Sequence, residues 1–287
     1  MFVGRLGSGS MRILLRPLLA AVSLLLATAV LGADKPGETK GSALEPSAEN
    51  LALTWAKANL VLPRTLAGGR RWEGHAEDAP DVIGIAPLVV VMHGSSGVAP
   101  AIKEFQVWLA DELGVASVAP DSLAIPDRLT YTSPVDVALY ERVHALRQAE
   151  LENALKTSRD WSWVDRQRVV IAGTSEGSVA VGRYTGKDVA ARLIYSWSCE
   201  DNYFVMAPKL GIGAKEPVLN AISARDPYFS AANPWNKDRA VTGSCAAALK
   251  DDPKAEVMVI DADVHTILNR PEVRERSAQF LRGVLNP

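Results

Sequence analysis

The chain has 287 residues, 48% hydrophobic and 22% charged, with a formal net charge of −2. That length suits one large α/β domain or two small ones, and the apolar content is enough for a sizeable core. The near-neutral balance gives no sign of the basic surface that nucleic acid or an anionic membrane would attract.

The first 33 residues stand apart. Arg12 and Arg16 precede the apolar run LLAAVSLLLATAV, and no acid occurs before Asp34. A basic start, a short apolar middle and small residues after it predict a secretory signal over residues 1–33, cut after Ala29 or after Ala33. Met11 is an alternative start. An uncleaved anchor is the rival reading, but the run is about 15 residues against the roughly 20 needed to span a bilayer. Cleavage removes Arg5, Arg12 and Arg16 and no acid, so 31 basic residues become 28 against 33 acidic, net −5. The expected location is periplasmic or secreted, with no stable membrane anchor after cleavage.

Residues 34–50, polar and rich in Pro and Gly at their start, read as a flexible leader. Residues 51–287 read as one domain. Edge strands are expected near 60–66 and 70–74. Strands follow at 88–94, 115–120, 168–175, 191–198, 217–223 and 256–262. They are continuous apolar runs rather than alternating ones, as strands covered on both faces require. Helices are expected at 101–114, where Ile102, Phe105, Leu109 and Leu113 share a face and Gly114 ends the run, and at 135–158, 176–186 and 271–285. Strand and helix in alternation predict a mostly parallel, doubly wound α/β sheet with helices on both faces.

In VVIAGTSEG (169–177) a buried strand runs into a serine between two glycines. A strand that turns at once into a helix forces unusual backbone angles on the apex residue, and small neighbours allow the sharp turn. The apex side chain then points outward, and the following helix aims its positive end at the site. Ser175 is therefore a candidate nucleophile; the alternative is a serine that merely caps the helix. A serine nucleophile needs a base and a group that orients the base. Of the four histidines (75, 93, 144 and 265), His265 follows a strand in the loop DADVH and is the candidate base. His93 fits a structural role, His75 sits in a polar loop, and His144 lies on a helix. Asp226, at the end of VLNAISARD, is the candidate acid; Asp201, Asp261 and Asp263 are its rivals. The amides of Glu176 and of Ser95, with Ser96 next, would bind an oxyanion. The Glu176 side chain is expected to face the sheet edge or solvent. No Cys or His cluster has metal-ligand spacing, and no metal or cofactor is expected.

LVVVMHGSSG, APDS (119–122), VVIAGTSEGS, ISARDP and DADVH together resemble the α/β-hydrolase superfamily, and most of all its dienelactone hydrolase-like branch, over residues 85–285. The resemblance implies an α/β-hydrolase fold, the chain order Ser175, Asp226, His265 for the triad, and a serine ester hydrolase acting on small-molecule esters. Dienelactone hydrolases proper use cysteine where this chain has Ser175, so that activity is not carried over. The stretch 199–216 is where such proteins often place a small cap; Tyr203, Phe204 and Met206 would line an acyl or alcohol pocket, with Trp197 and Trp235 as further walls. The two cysteines, Cys199 and Cys245, are expected to pair in an exported protein. A non-catalytic binding protein, or a thioesterase or acyltransferase on the same fold, are the alternatives. The oligomeric state is left open.

Overall fold

The computed structural model describes residues 1–4, 36–236 and 239–285. The chain divides into two units, Met1–Ala33 and Asp34–Pro287. Of the first, only residues 1–4 are described, and they have no regular structure. The expected signal and its cleavage sites lie outside the described residues. Among the described residues no helix is long and apolar enough to cross a membrane.

The second unit is built on an eight-stranded sheet. In chain order its elements are β1 (Thr39–Lys40), α1 (Ala48–Ala56), β2 (Asn59–Leu62), β3 (Trp72–His75), β4 (Ala86–Met92), α2 (Pro100–Leu113), β5 (Ala116–Ala119) and β6 (Thr130–Tyr131). Then come α3 (Val137–Ser158), β7 (Val164–Thr174), α4 (Glu176–Arg183), β8 (Ala191–Tyr195), β9 (Val218–Ser223), α5 (Ala246–Leu249), β10 (Ala255–Ile260) and α6 (Pro271–Leu285). The strand order is β10-β9-β8-β7-β4-β5-β2-β3. The run from β10 to β5 is parallel, and β2 and β3 join antiparallel at one edge.

The continuous apolar runs follow from burial on both faces. In β4, Leu88, Val90 and Met92 pack with α3 and α4 residues such as Tyr140, Leu155 and Val179. Val89 and Val91 point the other way, toward Ile102, Phe105 and Leu109 of α2 and Phe280 and Leu281 of α6. Successive side chains thus feed two separate apolar layers. Gly114 ends α2 in the left-handed region (φ 66°), as a glycine C-cap does.

Residues 36–50 are not a free leader. β1 pairs with β6, Thr39 opposite Tyr131 and Lys40 opposite Thr130. The Gly37 N–H donates to Pro134 O (2.6 Å), and the Thr132 N–H to Glu38 O (2.9 Å). Ser47 caps α1 by accepting from the Asn50 N–H (3.1 Å). The Pro and Gly content that suggested flexibility instead lets a short segment lie against a loop and satisfy its own backbone groups there. The stretch 199–216, where a small cap is expected, carries an Asn202–Val205 bridge and no helix.

Because β7, β9 and β10 run parallel, their carboxyl ends lie along one edge of the sheet. Ser175 follows β7 directly, Asp226 lies in the turn after β9, and His265 lies in the loop after β10.

Candidate active site

Ser175 has φ 54° and ψ −121°. Left-handed φ at a non-glycine residue is costly and persists only where the surroundings enforce it. Here the enforcement is visible. A Cβ on Gly173 would lie 2.5 Å from Gly177 O, and one on Gly177 would lie 2.2 Å from Met92 O and 2.6 Å from His93 O. Helix α4 therefore sits directly on strands β7 and β4, which only glycine permits at these two positions. The Ser175 N–H donates to Tyr195 O (3.0 Å), and Ser175 O accepts from the Ser178 N–H (2.9 Å). Ser175 occupies the N-cap position of α4, yet its side chain makes no cap hydrogen bond. The hydroxyl opens instead into a cavity of about 470 Å³.

His265 lines the same cavity. Its Nδ1 lies 2.8 Å from Asp226 Oδ2, and the Asp226 side chain is wholly buried. The other carboxylate oxygen, Oδ1, accepts from the Tyr228 N–H (2.8 Å) and the Phe229 N–H (3.1 Å). Both oxygens are thus occupied and the carboxylate cannot swing away. Facing a carboxylate, Nδ1 carries the proton, which leaves Nε2 with its lone pair. The loop is held from below: the Ser196 hydroxyl donates to His265 O and the Ser223 hydroxyl to Val264 O. Tyr228 and the imidazole meet edge to face at 4.6 Å between centroids. The rival acids are elsewhere engaged: Asp261 and Asp201 are exposed and paired with Arg225 and Arg239, and Asp263 is an exposed loop residue.

Ser95 and Ser96 also line the cavity. A Cβ on Gly94 would come within 3.3 Å of Ser175 Cβ, so this loop passes close to the serine. Glu176 is the first residue of α4, where an N–H has no partner within the helix.

The Glu176 side chain does not face solvent. It is 2% exposed and lies in a buried charge network. Glu176 Oε2 accepts from Tyr131 Oη (2.6 Å); Oε1 lies 3.4 Å from Arg147 Nε and 3.6 Å from the Arg128 guanidinium. Arg147 also pairs with Glu150 and donates to His93 O (2.9 Å). Ser122 Oγ bridges, donating to Glu150 Oε1 (2.7 Å) and accepting from Arg128 Nε (2.9 Å). Two guanidinium groups meet two carboxylates, which is how a protein tolerates this much buried charge. Burial still shows: it lowers the Arg128 pKa, raises that of Glu150, and pushes the Tyr131 phenol well above its ordinary value. His93 is part of this scaffold. Its Nε2 accepts from the Ser122 N–H (3.0 Å), so Nδ1–H donates to Gly94 O (2.6 Å). Burial holds its pKa well below the ordinary imidazole value.

Of the expected pocket residues, Tyr203, Phe204 and Trp235 line the cavity. Met206 does not: the residue is 60% exposed, and its N–H is drawn back to Glu141 Oε1 (2.8 Å). Trp197 does not either, being fully buried against α4 at Gly182. Tyr131, Ser133, Tyr228 and Phe229 line the cavity and were not anticipated. Tyr228 and Phe229 could have been read from the sequence, since they directly follow Asp226-Pro227. Cys199 and Cys245 form a disulfide. It ties the start of the 199–216 connection to the N-terminus of α5. Among the described residues one set of potential metal ligands comes together, His75, Glu77 and Asp78; all are exposed and Glu77 is already paired with Lys57.

No family model matches the chain, and no curated protein matches it in sequence. Solved structures are similar to it in fold. TT1662 from Thermus thermophilus is 17% identical, with a TM-score of 0.53, over 79% of this chain and 98% of that one. A dienelactone hydrolase-like promiscuous phosphotriesterase from metagenomic libraries is 18% identical, with a TM-score of 0.51, over 79% and 98%. Esterase PE8 is 17% identical, with a TM-score of 0.50, over 70% and 94%. The chain has the α/β-hydrolase fold.

Proposed function

We propose that this α/β-hydrolase-fold chain cleaves carboxylic esters of small molecules through an acyl-enzyme formed on Ser175. One observation carries the reading. The Ser175 hydroxyl, freed from capping by a left-handed backbone, opens into the cavity that also receives His265, whose Nδ1 is engaged by a buried Asp226.

The chemistry follows from those groups. His265 Nε2 accepts the proton of Ser175 as its oxygen attacks the ester carbonyl. Asp226 holds the imidazole in that tautomer and stabilises the imidazolium. The carbonyl oxygen, now anionic, is bound by the amides of Glu176 and Ser95, with the N-terminus of α4 favouring the negative charge. The protonated imidazole returns its proton to the leaving alkoxide. Water, deprotonated by His265, then releases the acid and restores Ser175. Every step is carried by side chains and backbone, so no cofactor is invoked.

Export belongs to the same proposal. The disulfide and the basic, then apolar, start of the sequence support an oxidising compartment.

The test is hydrolysis of short carboxylic esters by protein beginning at Asp34. Ser175→Ala is expected to lower kcat by about 10⁵-fold or more, and Asp226→Asn by about 10⁴-fold. Turnover unchanged by Ser175→Ala would remove the reading.

A further inference from the structure

The cavity beside Ser175 is unusual in composition. Six of its twenty lining residues are aromatic, namely Tyr131, Tyr203, Phe204, Tyr228, Phe229 and Trp235, in a chain that is 6% aromatic. One third of the chain's 18 Trp, Tyr and Phe residues thus face one cavity. The large aliphatic side chains on its wall are Ile102 and Leu268. A site shaped for a flexible alkyl chain gains as much from Leu, Ile or Met, with no need of rings.

The rings form a connected wall that starts at the catalytic imidazole. Tyr228 lies 4.6 Å from the His265 ring and 6.0 Å from Trp235. Trp235 meets Tyr203 edge-on at 5.1 Å, and Tyr203 meets Phe229 at 6.2 Å. Because the rings pack on one another, the wall is preformed and little ordering is lost when a ligand enters. A planar ring entering such a wall finds ring edges and faces already oriented, and each favourable aromatic contact is worth roughly a factor of two to ten in affinity beyond area burial. The volume, about 470 Å³, suits a small ligand of this kind.

We infer that the substrate is an ester carrying a planar aromatic ring, held against Tyr203, Tyr228 and Trp235. This rests on the hydrolase reading for the word ester, and the geometry of the wall carries the ring.

The test separates the two. Equilibrium binding to Ser175→Ala is measured by calorimetry for methyl 3-phenylpropanoate and methyl 3-cyclohexylpropanoate. A second pair, benzyl acetate and cyclohexylmethyl acetate, places the ring on the alcohol side. Within each pair the heavy-atom count is equal and the saturated ring is the more hydrophobic, so area alone favours the saturated member. The aromatic member of one pair is expected to bind about tenfold tighter, 1.4 kcal/mol at 25 °C. Trp235→Leu and Tyr228→Leu, each shown folded by circular dichroism, are expected to cut that ratio to roughly threefold or less. Equal or tighter binding of the saturated member in both pairs, or no binding of either aromatic ester, overturns the inference. Labelling of wild-type Ser175 by a fluorophosphonate reports on hydrolysis independently. Labelling without aromatic preference keeps the hydrolase and discards the ring; aromatic preference without labelling does the reverse.

Discussion

Gly177 shows how one missing methyl group builds the serine turn. Its Cβ would sit 2.2 Å from a β4 carbonyl, so Gly177→Ala must push α4 off the sheet. The expected result is a loss of about 1–3 kcal/mol in urea unfolding together with loss of the ester hydrolysis proposed for Ser175. Gly283 in α6 is the contrast: nothing lies within 4 Å of its Cβ position, and Gly283→Ala is expected to gain about 0.5–1 kcal/mol. His144 gives a pH test. It is buried, its Nε2–H donates to Phe204 O (2.9 Å), and burial lowers its pKa to about 4. The folded state therefore prefers the neutral ring. That contribution is whole above the unfolded value near 6.5 and is lost as pH falls from there toward 4, about 3 kcal/mol in all. His93, also lowered, acts in the same direction. Unfolding at pH 7.5 and 4.5 is expected to show a shallower pH loss in His144→Gln than in wild type; parallel losses would contradict it. At this scale Ser175, Asp226 and His265 are legible in the sequence because each follows a strand in a parallel order. Glu176 is not, because a carboxylate reads as solvent-facing until its partners, at positions 128, 131 and 147, are folded around it.

Two elements that carry or adjoin site residues are themselves braced. Helix α4 is anchored at its first residue by the buried network of Glu176, Arg128 and Arg147. Glu176→Ala leaves two buried guanidinium groups short of a carboxylate, which costs about 3–5 kcal/mol. A thermal melt is expected to show Tm lower by roughly 10 °C, with Glu176→Gln falling less because its amide oxygen still accepts from Tyr131. Strand β1 braces the cavity wall by pairing with β6, which carries Tyr131. Protein beginning at Ser47 lacks that strand. Its KM for an ester is expected to rise on the order of threefold to tenfold with little change in kcat, the pattern of lost binding rather than lost chemistry; an unchanged KM would contradict it. The central strands were legible because burial on both faces leaves a continuous apolar signature. The brace was not, because a two-residue strand rich in polar side chains has no periodicity, and its pairing is made only through backbone groups.

Across the whole molecule the parallel sheet brings residues 175, 226 and 265 to one edge, and the disulfide closes the 46-residue span from Cys199 to Cys245, which contains Asp226. Loop-closure entropy for that length is worth about 4 kcal/mol. Urea unfolding with and without reductant is expected to differ by about that amount, with the reduced protein the weaker. The alternation of strand and helix made the architecture legible at this scale. The aromatic wall was legible only in part, since Tyr131 is distant in sequence from Tyr228 and Trp235 and joins them through the fold. The proposed nucleophilic role of Ser175 is tested most directly by treating protein beginning at Asp34 with a fluorophosphonate probe and mapping the adduct by mass spectrometry. A single adduct on the peptide containing Ser175, absent in Ser175→Ala and strongly reduced in His265→Ala, is the expected result. Folded protein that takes no label, or takes it at another serine, would contradict the account.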